Sequence, residues 1–213
     1  MRSLERSRNP RRTRLAAALV AGAVAVSTAA CSTGKDAVVQ GETFEFVSPD
    51  GKTEIHYDPA SERKKVAPLS GPNLVEAGRT VDLQKDFAGK VVVLNLWGQW
   101  CGPCRSESDD LQRLHETYAP KGAEVLGIDL RDPNRSKPVD FVKDNGITYP
   151  SIWDPSQAAV AALHGFPTSV VPSTLVLDKQ HRVAAVYLAE ITDTRLAATI
   201  DTLLAEPDGG AAA

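Results

Sequence analysis

Residues 91 to 107, VVVLNLWGQWCGPCRSE, decide the fold that this 213-residue chain is expected to adopt. The segment Val91–Trp97 is apolar apart from Asn95, and such a run predicts a central strand that is covered on both faces. Two cysteines separated by Gly-Pro follow at once. The apolar positions of Pro103–Tyr118 then recur at helical spacing, so a strand leads into a helix and the cysteines lie at their junction.

The position of these two cysteines indicates thiol chemistry. Cys101 lies where the helix begins, and the first backbone N–H groups of a helix have no partner within it. Those donors and the positive end of the helix dipole favour a thiolate, which is the nucleophilic form of cysteine. Pro103 is tolerated in the first turn, and Cys104 follows Cys101 by about one turn. The pattern predicts disulfide exchange, with Cys101 as the nucleophile and Cys104 as the resolving thiol.

Other uses of a Cys-x-x-Cys pair fit the sequence less well. A bridge that closes so short a ring removes little chain entropy and would stabilise the fold only weakly. A structural zinc site needs four ligands, but the chain has no second pair of cysteines, and His115 lies about 16 Å from Cys104 along the same helix. A copper-binding or copper-delivery module, with His164 as a further ligand, remains an alternative. The prediction is a redox-active disulfide with no cofactor or metal.

The N-terminal region predicts export. The first fourteen residues carry six arginines and one acid, and residues 15 to 30 form an uncharged, Ala/Val-rich run. This order is typical of a secretory signal peptide. The next residue, Cys31, follows two alanines and resembles a bacterial lipobox cysteine, which is acylated after cleavage. Lipid on Cys31 would hold the protein at the outer face of the cytoplasmic membrane, with residues 31 to 43 as a flexible tether. Cleavage without lipidation would give a secreted protein.

The charge balance argues against nucleic acid as a partner. Without the first thirty residues, the 24 basic and 27 acidic residues become 18 and 26, which is a net charge of −8. A phosphate-binding surface needs clustered lysine and arginine, and this acidic composition does not favour one. The expected partners are protein thiols and disulfides.

The rest of the chain predicts one α/β domain with an extension at its N-terminus. Alternating apolar residues on either side of a Ser-Pro-Asp-Gly turn indicate a β-hairpin within residues 44 to 65. Residues 66 to 205 hold a predicted central mixed β-sheet flanked by helices, and the Gly/Ala-rich tail at 206 to 213 is expected to be disordered. Beyond the cysteine helix, strands are predicted at 124–129, 173–178 and 181–187, and helices at 139–145, 157–164 and 192–204.

The run Trp97–Arg105, WGQWCGPCR, resembles the active site of the thioredoxin superfamily, and Glu107 two residues further on suits its membrane-anchored TlpA/ResA/CcmG-like branch. The resemblance implies a thioredoxin fold and a thiol:disulfide oxidoreductase. It also implies a cis-proline that faces the cysteines from a loop just before a strand. Pro172 fits because a predicted strand begins directly after it, and Pro167 is the rival.

Three further residues near the cysteines are relevant to the site. Asn95 takes the place of the buried acid of thioredoxin, and an amide cannot accept the proton of the buried cysteine. Glu107 is therefore a candidate proton acceptor for Cys104; the alternative is a first-turn acid that interacts with the helix dipole. Trp100 adjoins the nucleophile, and we expect it to shield the disulfide and to pack against partner proteins.

The sequence favours one direction of electron flow over another. Thioredoxin, with the same Gly-Pro dipeptide, has a potential of about −270 mV, and the oxidant DsbA one of about −120 mV. The dipeptide and the resemblance favour a reductase of protein disulfides, with apocytochrome c as the implied substrate class in cytochrome c maturation. An exported reductase needs a membrane electron donor. The alternatives are a disulfide-forming oxidase and a thiol peroxidase, although the Pro-Thr-x-x-Cys setting of a peroxidase is absent.

Overall fold

A mixed β-sheet carries the structure of the chain. The computed structural model describes residues 41–47 and 51–207. Its strands are β1 (Glu54–His56), β2 (Ser70–Pro72), β3 (Thr80–Asp82), β4 (Val91–Trp97), β5 (Ala123–Leu130), β6 (Ser151–Asp154), β7 (Ser173–Leu177) and β8 (Val183–Tyr187). Its α-helices are α1 (Leu83–Asp86), α2 (Gly102–Tyr118), α3 (Ser136–Asp144) and α4 (Asp193–Ala205).

The sheet has the predicted strand β4 at its centre. Six strands are ordered β1-β8-β7-β4-β5-β6, and β2 and β3 form a separate pair. β4 runs parallel to β5 and antiparallel to β7, and β5 runs parallel to β6. Every residue of β4 is buried, because the strand has neighbours along both edges and on both faces. The predicted mixed sheet is confirmed.

Alternate side chains of β4 belong to two hydrophobic cores. Val91, Val93 and Trp97 face the side of the sheet on which α2, α3 and α4 pack. The even-numbered residues face the other side, which is covered by α1, a 3₁₀ helix at Val160–Ala162 and the segment around Phe44. Full burial of a large apolar side chain contributes roughly 1.5–3 kcal/mol. The strand is therefore a rigid support for the loop that follows it.

The predicted N-terminal hairpin is wrong. Its second half is β1, which pairs antiparallel with β8 at the edge of the main sheet. Its first half has other partners: Phe44 N donates to Lys65 O (2.6 Å), and Phe46 N donates to His164 O (2.8 Å). The alternating pattern correctly predicts the strand β1. Its partner differs because the edge of β8 has backbone groups free to form hydrogen bonds, and pairing there places Ile55 against the core.

Residues 44 to 65 are therefore part of the main domain. The described residues from Gly41 onward form one compact unit, so no boundary lies between 44–65 and 66–205. The end of the predicted tether is also attached, because Lys65 N donates to Glu42 O at 3.0 Å. Four predictions lie wholly or partly outside the described residues: the export signal at 1–30, the rest of the tether with Cys31, the turn at 48–50, and residues 208–213 of the tail predicted at 206–213. The predicted disorder is wrong for Glu206, because its carboxylate accepts two hydrogen bonds from Arg63 at 2.8 Å.

The predicted helix at 157–164 is mostly a turn. Only Val160–Ala162 is helical, as a single 3₁₀ turn, because the Asp154 carboxylate accepts hydrogen bonds from Ala158 N (2.8 Å) and Val160 N (3.0 Å) and holds the segment in a tight loop. Helix α3 begins three residues earlier than predicted, with Pro138 in its first turn. The described helices include none with both the length and the apolarity of a membrane span.

Candidate active site

The two cysteines lie where β4 meets α2. Cys101 is the N-cap residue of α2, and its Sγ accepts a hydrogen bond from the Cys104 N–H at 3.2 Å. The two sulfurs form a disulfide, and the residues are 5% and 2% exposed. Gly102 and Pro103, between them, are exposed. A partner chain can therefore approach over the dipeptide, and Cys104 is the more deeply covered of the two thiols.

A loop in front of β7 faces this disulfide. Its Val171–Pro172 peptide bond is cis, and Val171 O lies 3.7 Å from Cys101 Sγ. The other cis peptide bond in the described residues is Asp58–Pro59, so the bond before Pro167 is trans. Pro172, rather than its rival, therefore lies beside the redox pair.

Trp100 is exposed next to Cys101, but it is not loosely held. The side chain is 46% exposed, and its Nε1 donates to Leu130 O at 3.0 Å. Gly98 makes this position possible, because a Cβ atom there would lie 2.5 Å from the indole nitrogen. The indole ring is thus attached to the end of β5.

Glu107 lies inside the domain, about one helical turn after Cys104. It is fully buried; Oε1 accepts a hydrogen bond from Asn95 Nδ2 (2.8 Å) and Oε2 accepts one from the Ile191 N–H (3.0 Å). The alternative of an acid in the first helical turn is therefore wrong. Burial raises the pKa of Glu107 to about 7, although the two donors act in the opposite direction. A carboxyl group with this pKa exchanges its proton near neutral pH.

Asn95 connects this carboxyl group to the sheet. Its amide donates one hydrogen bond to Glu107 and a second to Thr174 Oγ1, at 3.1 Å, on the neighbouring strand β7. The amide is 1% exposed. The residue that replaces the buried acid of thioredoxin therefore acts as a donor to an acid supplied by α2.

A second buried carboxyl group, Asp129, is not among the residues predicted from the sequence. It lies next to Trp97 in the β4–β5 register, is fully buried, and within the described residues neither of its oxygens has a hydrogen-bond donor. Burial, with further contributions from Asp132 and Asp154, raises the pKa of Asp129 to about 9. Asp129 lies near the carboxyl end of a parallel strand, where the binding sites of α/β proteins are commonly found. That position is the sequence signal by which Asp129 could have been predicted as a site residue.

The histidines do not assemble with the cysteines. His115 is half-buried rather than solvated; its ring packs edge-on against Tyr149, and its Nδ1 lies 3.3 Å from Glu124 Oε2. His164 is exposed. Within residues 41–47 and 51–207, no group of three or more His, Cys, Asp or Glu side chains has the arrangement of a metal site.

The sheet order and the placement of Cys101 and Cys104 make this a thioredoxin-fold domain built for thiol:disulfide exchange. Residues 63–186 match the model of the AhpC/TSA family, and the chain belongs to that family. It is a thiol:disulfide oxidoreductase of the ResA/CcmG-like kind. The thiol-disulfide oxidoreductase ResA of Bacillus cereus (strain ATCC 10987 / NRS 248) is 30% identical over 140 residues, which are 64% of this chain and 78% of the relative.

Two solved structures are more similar in sequence. A DsbF homologue from Corynebacterium diphtheriae is 55% identical with a TM-score of 0.71, over 76% of this chain and 99% of that one. A secreted thiol-disulfide isomerase from Corynebacterium glutamicum is 51% identical with a TM-score of 0.73, over 76% and 98% of the two chains. These similarities cover nearly the whole of both solved chains.

Proposed function

We propose that this protein is an exported reductase of protein disulfides, with apocytochrome c as its substrate class in cytochrome c maturation. The observation that carries the proposal is the pairing of an N-cap thiol, Cys101, with a covered second thiol, Cys104, about one helical turn before the buried carboxyl group of Glu107. The Gly-Pro dipeptide of the reductant thioredoxin and the likeness to ResA support this direction.

The reaction takes place in two exchange steps. In the reduced protein, the Cys101 thiolate attacks one sulfur of the substrate disulfide, and the other substrate sulfur leaves as a thiolate. The Cys104 thiolate then attacks Cys101 Sγ and releases the first substrate sulfur. The substrate gains two electrons, and the protein is left with the Cys101–Cys104 disulfide, which a membrane electron donor must reduce again. We expect the Val171 carbonyl, which lies 3.7 Å from Cys101 Sγ, to accept a backbone hydrogen bond from an extended substrate segment.

Glu107 supplies a proton acceptor for the second step. Cys104 is buried and must lose its proton before it attacks, and bulk water reaches it poorly. A carboxyl group that titrates at about pH 7, one helical turn away, can take that proton when it is ionised. The proton passes from Cys104 Sγ to a Glu107 carboxyl oxygen and then to solvent.

The location of the protein is part of the proposal. Residues 1 to 30 act as an export signal, and lipid on Cys31 anchors the domain at the outer face of the cytoplasmic membrane. Changing Cys31 to Ser should release the protein from membranes into the soluble fraction. Unchanged membrane association of Cys31→Ser would contradict the anchor, and retention of the wild-type chain in the cytoplasm would contradict export.

An oxidase or isomerase of exported proteins is the second candidate. It is favoured by the likeness to the DsbF homologue and to the secreted thiol-disulfide isomerase, both more than half identical to this chain over the aligned region. The same two cysteines would then begin as the disulfide, and a substrate thiolate would attack it. The chemistry of the site is reversible, so the potential of the couple separates the two candidates.

The test is the potential of the Cys101/Cys104 couple together with partner trapping. We expect a potential near that of thioredoxin, about −270 mV. A Cys104→Ala variant should accumulate mixed disulfides with cytochrome c apoproteins, and a Cys101→Ala variant, as the matched control, should not. A potential well above the glutathione range and an absence of such adducts would overturn the reductase assignment. Peroxide consumption or stoichiometric copper would indicate the peroxidase or the copper module.

A further inference from the structure

The arginines of the domain are paired everywhere except at the active site. The described residues contain eight arginines, and six of them donate to carboxylate or carbonyl oxygens: Arg63, Arg79, Arg113, Arg135, Arg182 and Arg195. Within the described residues, Arg105 and Arg131 have no such acceptor. Both are exposed. Beyond its first thirty residues the chain is acidic, so carboxylate partners for arginine are plentiful. The two arginines without such a partner both lie close to the active site.

Both unpaired arginines flank the nucleophile. The guanidinium of Arg131 lies over the ring of Trp100, 4.3 Å from its centroid, and Trp100 directly precedes Cys101. Arg105 comes four residues after Cys101, so it lies one turn further along the same side of α2. Positive charge near Cys101 therefore comes from two elements, the loop after β5 and helix α2.

The loop that carries Arg131 is fixed to the loop that carries Trp100. Trp100 Nε1 donates to Leu130 O (3.0 Å), and Gln99 N donates to the Asp132 carboxylate (2.8 Å). Asp132 is 5% exposed and is engaged by this contact, although it is the next residue after Arg131. The guanidinium is thus held in place without being neutralised, and a preorganised side chain loses less freedom when it binds.

One exposed acid near the site, Glu190, lies toward β8. Glu190, which is exposed, follows β8 and adjoins Ile191, whose N–H donates to Glu107. Arg131 follows β5. Because β7 and β4 separate β8 from β5 in the sheet, Glu190 and Arg131 lie toward different edges of the sheet. These opposite charges would orient a bound substrate segment whose two ends differ in charge.

We propose that Trp100, Arg131 and Arg105 form a docking surface for protein substrates that carry an acidic residue close to the reacting cysteine. A guanidinium binds a carboxylate through two parallel hydrogen bonds, and the Trp100 ring offers apolar contact beside it. The proposal deepens the exchange function and rests on it, since the partner is the disulfide-bearing substrate itself.

The test compares two synthetic peptides under single-turnover conditions. Each peptide is closed by one internal disulfide, and the two differ only in having Asp or Lys beside the cysteines. The full-length protein is reduced beforehand and freed of reductant, so its dithiol is the electron source and each peptide disulfide becomes two thiols. We expect the Asp peptide to react about fivefold faster than the Lys peptide at low salt, with a smaller ratio at high salt.

The variants isolate the guanidinium from the rest of the site. Arg131→Gln should lower the rate ratio to about two, Arg131→Lys should keep part of it, and the double variant with Arg105→Gln should bring it to about one. These substitutions keep a long side chain at Arg131, which has a positive φ of 58°. Arg79→Gln, an exposed arginine in the β2–β3 segment, should leave the ratio at the wild-type value.

The ratio of the two rates, rather than either rate alone, is the readout. A change in the reactivity of Cys101 would alter both rates equally and would leave the ratio intact. An equal ratio in wild type and Arg131→Gln, or a wild-type preference for the Lys peptide, would overturn the docking surface. No exchange with either peptide would instead count against the exchange function on which the proposal rests.

Discussion

Glu107 and Asp129 are both fully buried on the side of the sheet where α2 packs, but their surroundings differ. Glu107 receives hydrogen bonds from Asn95 and Ile191. Asp129 receives none within the described residues, and the negative charges of Asp132 and Asp154 act against its ionisation. Burial raises the pKa of both groups, to about 7 for Glu107 and to about 9 for Asp129.

The difference shows that hydrogen-bond donors, and not burial alone, decide what a buried acid can do. Donors stabilise the carboxylate and oppose the cost of removing it from water, so Glu107 can be ionised at neutral pH. Asp129 lacks donors and has acids as neighbours, so it stays protonated and cannot accept a proton. We therefore give the two buried carboxyl groups different roles in the proposed mechanism: Glu107 acts as the base, and Asp129 is a neutral polar group in the core.

The largest expected effect follows from removing the base. Glu107→Gln keeps the shape of the side chain and an oxygen for the Ile191 N–H, but it has no titratable group. We expect the second exchange step to slow by about 100-fold at pH 7, while the first attack by Cys101 is little changed. Acid quenching and mass spectrometry should then show a mixed disulfide on Cys101 that persists.

The pH dependence provides the check on this prediction. In the wild type, the rate of the second step should rise with pH through about 7, where Glu107 loses its proton. Glu107→Gln should lose that rise, and Glu116→Gln, an exposed acid further along α2, should keep it. Resolution as fast in Glu107→Gln as in the wild type would show that another group takes the proton.

A stability effect is expected at Asp129 instead of a kinetic one. Its folded pKa of about 9 exceeds its ordinary value of 3.8, so the stability it contributes is present below about pH 4 and declines as the pH rises toward 9. Asp129→Asn removes this decline. We expect the variant to be more stable than the wild type by several kcal/mol at pH 8 and nearly equal to it at pH 4.

Urea unfolding at the two pH values measures this difference. The exposed acid Asp140, changed to Asn, serves as the control and should show no gain at either pH. The exchange rate of Asp129→Asn should stay within about threefold of the wild type, since a neutral acid takes no proton. A loss of activity as large as that of Glu107→Gln would remove the distinction between the two carboxyl groups.

Local pattern was enough to predict the strand, the helix and the cysteine pair between them. The run Val91–Trp97 is apolar because both faces of β4 are covered, and the helical spacing after Pro103 reflects the packing of α2 on the same core. The two thiols are three residues apart, so their relation is also local. The family resemblance adds the expectation of a cis-proline, and the strand predicted directly after Pro172 favours that residue over Pro167.

The buried polar residues depend on contacts distant in sequence, and these were harder to predict. Asn95 meets Thr174, 79 residues away, and Glu107 meets Ile191, 84 residues away. An aspartate at the end of a strand, such as Asp129, has the same local pattern as a solvent-exposed turn residue. The hairpin prediction is wrong for a related reason. The alternation at 52–57 predicts a strand but does not specify that its partner is β8.

The smallest expected effect follows from removing a hydrogen-bond donor to Glu107, which makes its surroundings more like those of Asp129. Asn95→Leu removes one of the two donors to the Glu107 carboxylate and leaves an apolar group of similar size in β4. The charged form is then less stabilised, and the pKa of Glu107 rises further. We expect the pH midpoint of the second exchange step to move upward by about one unit, with the wild-type rate recovered at higher pH.

Recovery at high pH separates a shifted base from a damaged fold. Thr174→Val is the matched control, since Thr174 contacts the same amide but does not reach Glu107, and its midpoint should stay near 7. If Asn95→Leu is slow at every pH, the amide supports the structure of the site rather than the charge of Glu107. If its midpoint is unchanged, the Ile191 N–H alone holds Glu107 in the ionised form, and a single donor is enough to distinguish it from Asp129.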